Sequence, residues 1–269
     1  MSRLDRCFNK LKQTGTKALA IYIVSGDPEP GVTLKAMHQL VDSGANIIEL
    51  GVPFSDPMAE GPVIQKGHER ALAHKMSLKQ TLDVVAQFRR TDADTPVILM
   101  GYANPIERMG YETFATLASE AGVDGALTVD LPPEEAELAN ATFKKYALDT
   151  IYLLAPTSSP ERIAKVSRLA SGFIYYVSLK GVTGAGHLDA SSVAECTETI
   201  RRASSVPVMI GFGIKDASST RAVAAYGDGV VVGSALVQIM GQTTSQAQML
   251  VELGEKVSEI REALDQSRA

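Results

Sequence analysis

Eight short runs of almost uninterrupted apolar residues alternate with amphipathic stretches along the chain, and this alternation limits the possible folds more than any other feature. The runs lie at 18–24, 46–52, 96–102, 125–130, 150–155, 173–178, 206–212 and 229–232. They are apolar on nearly every residue rather than on every second one, so they read as parallel strands covered on both faces. Helical spacing falls between them at 32–43, 78–90, 111–121, 133–146, 159–170, 191–203 and 217–225, and a last helix is expected over 245–264. Eight strands alternating with helices over about 250 residues predict an α/β fold, a closed (β/α)8 TIM barrel. An open, doubly wound sheet is the alternative. Leu4, Cys7, Phe8 and Leu11 stand at helical spacing within 3–13, which predicts an extra N-terminal helix covering the bottom of the barrel. With no low-complexity linker and no charge block, residues 1–269 read as a single TIM-barrel domain.

Composition narrows the class of function. The chain is 45% hydrophobic and 21% charged, and no segment approaches the roughly 20 apolar residues of a membrane helix. Its first ten residues are charged and lack an apolar signal core. Net charge is -5 with no basic run, which makes nucleic acid and anionic membranes poor partners. Cys7 and Cys196 are far apart and in no metal-ligand spacing, as expected of free thiols in a reducing cytoplasm. A cytoplasmic enzyme acting on a small molecule is the expectation, with no metal site.

In a barrel the C-terminal strand ends converge on one face, where the chemistry belongs. Glu49 ends an apolar run there and leads into a loop rich in proline and glycine; with Asp56 and Glu60 it places three acids within twelve residues. An ionised carboxylate is poorly solvated in such a run, so acid/base chemistry is the reading. Near the C-terminus, Gly211-Phe212-Gly213 and Gly233-Ser234 follow consecutive strands. Loops after strands seven and eight of barrels commonly hold phosphate through backbone N–H groups and a helix N-terminus. Glycines that merely permit tight turns are the plainer reading of either motif alone. The stretch 179–187, with Lys180, Thr183 and Gly184, reads as a lid, and Gly184 as a further phosphate donor. Tyr102, Asp130 and Tyr175 could line a substrate pocket, although polar residues at strand ends also satisfy loop backbone. His38, His68, His74 and His187 show no ligand spacing and read as satisfied or solvated histidines.

The segments Gly26-Asp27-Pro28, Glu49 through Pro57, Gly61 through Gln65, Tyr102 through Pro105, Gly181 through Gly184 and Gly211 through Ile214 occur in an order that resembles the α chain of tryptophan synthase, almost end to end. The resemblance implies retro-aldol cleavage of indole-3-glycerol phosphate to indole and glyceraldehyde 3-phosphate. It also implies a heterotetramer of two α and two β chains, in which a β chain carrying PLP receives the indole; this chain would need no cofactor. By resemblance, Glu49 is the acid/base, Glu60 stands where the family places an aspartate beside the indole N–H, and Phe54, Asp56 and Pro57 lie near the β-chain contact. Two other readings stay open. One is another phosphate-binding barrel; the other is a catalytically weak α-type subunit that mainly binds and activates its β partner.

Overall fold

The computed structural model describes residues 1–177, 190–211, 213–243 and 245–267, without the side chains of 190–192. The strands are β1 (Ala18–Val24), β2 (Ile47–Gly51), β3 (Val97–Gly101), β4 (Gly125–Thr128), β5 (Asp149–Leu154), β6 (Ile174–Val177), β7 (Val208–Gly211) and β8 (Gly229–Val232). Each pairs in parallel with the next, and β8 returns to β1 with Ala18 opposite Gly229, so the barrel closes in chain order. This is the expected (β/α)8 architecture. Nearly every strand residue is buried, because one face meets the barrel interior and the other meets the helices.

The helices are α1 (Arg3–Thr14), α2 (Pro30–Asp42), α3 (Pro62–Ala73), α4 (Leu78–Phe88), α5 (Ala103–Met109), α6 (Tyr111–Ala121), α7 (Glu137–Lys145), α8 (Pro160–Leu169), α9 (Ala190–Ala203), α10 (Ala217–Ala224), α11 (Ser234–Gln242) and α12 (Gln246–Gln266). Three of them, α3, α5 and α11, go beyond the sequence reading. Each has a proline or glycine at or near its start, which resembles loop punctuation. Proline is in fact well suited to the first helical turn, where its missing N–H would have no partner, and Pro62 takes that place in α3. Helix α7 begins at Glu137 rather than near 133.

Helix α1 covers the bottom as expected. Its N-terminus is closed by a capping box in which Ser2 Oγ accepts the Asp5 N–H and Asp5 accepts the Ser2 N–H. Its buried face then meets residues just ahead of strands: Arg3 pairs with Asp124 at 3.1 Å, Cys7 Sγ bonds the Asn46 carbonyl, and Phe8 packs edge-on against Phe173. Asp124 also takes Arg89 at 2.7 Å and the Val97 N–H at 2.8 Å. The N-terminal end of the barrel is therefore occupied by packing and paired charge, and the opposite end is left for the site.

Candidate active site

The sheet register sets Glu49 of β2 beside Tyr22 of β1 and Ile98 of β3. Glu49 is only 1% exposed, and neither carboxylate oxygen has a hydrogen-bond partner. Burial, with a smaller contribution from the charge of Glu60, pushes its pKa from 4.5 to about 8. A carboxyl held this way keeps its proton at neutral pH.

Glu60 reaches the same cavity from the loop that follows β2. Two tight turns shape that loop, with the Met58 N–H on the Asp56 carbonyl and the Glu60 N–H on the Pro57 carbonyl. Gln65 Nε2 then donates to the Glu60 carbonyl at 2.8 Å, tying the turn to α3. Two further contacts hold the loop from its sides. Tyr102 Oη accepts the Ala59 N–H at 3.2 Å while its ring stacks on Phe54, and the Phe54 N–H donates to His68 Nδ1 at 3.1 Å. Glu60 ends 7% exposed, and burial raises its pKa to about 7.

Both carboxyls bound a cavity of about 330 Å³. Tyr22, Met100 and Tyr175 face it from the barrel, Pro62, Val63 and Ile64 wall one side, and Ile214 and Val231 add apolar surface. At one end lie Gly213, Gly233 and Ser234. Gly213 has φ 78°, a left-handed conformation that favours glycine, and Gly233 caps the start of α11. The cavity thus has two buried carboxyls and a helix N-terminus suited to an anion. A larger cleft of about 720 Å³ lies under α1, where Lys17 bonds the Gly227 carbonyl and Arg201 pairs with Asp228.

Of the residues singled out from sequence, the structure gathers Glu49, Glu60, Tyr175, Gly213, Gly233 and Ser234 around one space. Tyr102 and Asp130 stand outside its lining. Tyr102 supports the 53–61 loop, and the exposed Asp130 accepts the Ala103 N–H at 2.7 Å at the start of α5. Each accepts a backbone N–H. Phe54 and Pro57 are half-buried and Asp56 is exposed. Phe212, Lys180, Thr183 and Gly184 lie outside the described residues. His68 is a satisfied core histidine, pushed down to about 4 by burial. Sequence reasoning missed Tyr22, Met100 and the apolar wall from α3. Their types are those of any barrel core, and the α3 side chains reach the cavity from a helix that the sequence reading lacks. Among the described residues no cluster of His, Cys, Asp and Glu could hold a metal, and no helix is long and apolar enough to cross a membrane.

Known proteins match the chain over nearly its whole length. The family model of the tryptophan synthase alpha chain matches residues 8–265. The tryptophan synthase alpha chain of Nitrosococcus oceani is 55% identical over 266 residues, 98% of each chain. That of Ralstonia nicotianae is 54% identical over 265 residues, 98% of this chain and 100% of its own. Among solved structures, tryptophan synthase subunit alpha from Legionella pneumophila str. Paris superposes with a TM-score of 0.91 at 46% identity, covering 99% of both chains. A Mycobacterium tuberculosis tryptophan synthase structure gives 0.89 at 35% identity over 100% of this chain and 99% of that one. With a family model spanning nearly its whole length and relatives this close, the chain belongs to the tryptophan synthase alpha chain family.

Proposed function

We propose that Glu49 and Glu60 divide between them the proton and charge work of the family reaction. The chain is the lyase subunit that cleaves indole-3-glycerol phosphate to indole and glyceraldehyde 3-phosphate. Breaking the bond between indole C3 and the side chain needs a proton added at C3 and another removed from the adjacent hydroxyl. Glu49, raised to about 8, starts with its proton. It gives that proton to C3 and becomes a carboxylate. It then takes the hydroxyl proton as the carbon–carbon bond breaks and its electrons return to the ring. Glu49 finishes as it began, and the net change is one proton moved from oxygen to carbon.

Protonation at C3 leaves positive charge on the ring nitrogen, and a fixed carboxylate near the N–H stabilises it. Glu60 suits that role: it lines the same cavity, where one negative charge is easier to hold than two, so a protonated Glu49 leaves Glu60 as the carboxylate. The phosphate is assigned to Gly213, Gly233 and Ser234 at the α11 N-terminus, with Gly184 and Phe212 as further donors, and Thr183 belongs to the lid over the substrate. The observation that carries the reading is the buried, unpartnered carboxyl of Glu49 beside that anion-binding end.

In the same reading, a single barrel domain in the cytoplasm joins a PLP-carrying β chain, two of each per heterotetramer. The loop with Phe54, Asp56 and Pro57 makes the contact. This chain holds no cofactor of its own. Incubation with indole-3-glycerol phosphate, alone and with a β chain, should release indole and glyceraldehyde 3-phosphate in equal amounts. Release of neither under both conditions would contradict the proposal.

A further inference from the structure

Tyr22 is buried level with Glu49 and borders the cavity. Two glycines make room for it. A methyl on Gly51 would fall on the Tyr22 hydroxyl, and one on Gly233 would come within 3.2 Å of the Tyr22 ring. The ring therefore rests near the anion-binding end while its hydroxyl lies over Gly51, one inward-facing position beyond Glu49 on β2. The oxygen is 3.3 Å from His68 Nε2.

The other ring nitrogen of His68 fixes the direction of that bond. Nδ1 faces the backbone N–H of Phe54, which can only donate, so Nδ1 must offer its lone pair. In the neutral imidazole the proton is then on Nε2. Burial keeps His68 neutral throughout the physiological range. Nε2–H donates to the tyrosine oxygen, which leaves the tyrosine's own O–H to donate elsewhere, on a residue that lines the cavity. An indole nitrogen carries a hydrogen and offers no acceptor there, and the phosphate is assigned to the Gly233 end, away from this hydroxyl. The acceptors within a 3-indolyl phosphate substrate that remain are the hydroxyls of its three-carbon chain.

We propose that Tyr22 is a substrate-binding residue that donates to a chain hydroxyl oxygen, and that His68 is the positioning residue that aims its proton. The inference rests on the substrate assigned above. It can be tested by calorimetric binding in a Glu49→Gln background, where turnover is blocked. The ligands are indole-3-glycerol phosphate and 3-indolylpropyl phosphate, in which hydrogen replaces the chain hydroxyls. Tyr22→Phe should weaken the hydroxylated ligand about fivefold and the other by less than about twofold. His68→Asn should weaken the hydroxylated ligand alone, and should add nothing once Tyr22 is Phe. Equal weakening of both ligands by Tyr22→Phe, or additive effects of the two substitutions, would overturn the assignment while leaving the substrate intact. Failure of the Glu49→Gln parent to bind either ligand would instead sink the substrate reading and this inference with it.

Discussion

Glu49 and Glu60 enter one cavity from two supports, the first from the end of β2 and the second from a turn held by Tyr102, Phe54 and Gln65. Neither Glu49 oxygen is hydrogen-bonded, so the arrangement costs stability whenever that carboxyl is charged. A core shaped only for stability would replace it with an apolar residue.

That cost gives a pH signature. Glu49 and Glu60 rise from 4.5 to about 8 and about 7 on folding, so the folded chain keeps protons that the unfolded chain has lost. Their stabilising contribution is complete below about pH 4.5 and is lost as pH climbs through 7 and 8, with a slope of at most about 1.4 kcal/mol per unit for each group. Urea unfolding at pH 5 and pH 8 should show the native chain losing more stability across this window than Glu49→Gln. Equal losses in both proteins would contradict the buried-charge account.

Glu60 is one methylene longer than the aspartate the family resemblance leads one to expect. Its turn is fixed by backbone bonds that do not depend on the side chain, so Glu60→Asp should keep indole release within about threefold of native. Glu60→Gln, which removes the charge, should lower kcat by about 10- to 100-fold. Equal rates for all three proteins would remove Glu60 from the mechanism.

Gly211 lies under Tyr175. A methyl at Gly211 would fall on the Tyr175 hydroxyl and ring, so Gly211→Ala should displace that side chain, cost about 1–3 kcal/mol and depress kcat/KM. Gly31→Ala is the control, since nothing lies within 4 Å of the added carbon. Thermal unfolding and indole release together read the outcome, and a Gly211→Ala protein equal to the control would refute the packing argument.

Met58 projects from the tip of the 53–61 loop with 83% of its surface exposed. An apolar side chain so placed adds little to the fold and suits a partner surface. Met58→Glu should leave unfolding unchanged while weakening β-chain affinity about tenfold, as measured by titration with the β chain. Unaltered affinity would move the contact elsewhere.

The architecture was legible because each parallel strand is apolar on both faces and each long helix keeps its period. Strands β1 and β8 and helix α6 fall at their expected bounds. Helices α3, α5 and α11 were not legible, since their opening prolines and glycines are those of loops and α5 has only seven residues. Glu49 stood out as a lone charge in an apolar run. Tyr22 did not, because a strand buried on both sides gives no alternation to show which residues face inward. Asp130 and Tyr102 show the converse: a polar strand end that caps backbone is indistinguishable in sequence from one that binds a ligand.

The central claim is that Glu49 carries the proton in both directions, and single-turnover indole release reads it most directly. The chain has no tryptophan of its own, so indole fluorescence stands out against tyrosine. The account predicts that Glu49→Gln binds indole-3-glycerol phosphate as the native chain does and releases indole at least about 100-fold more slowly. Undiminished release from Glu49→Gln would contradict it.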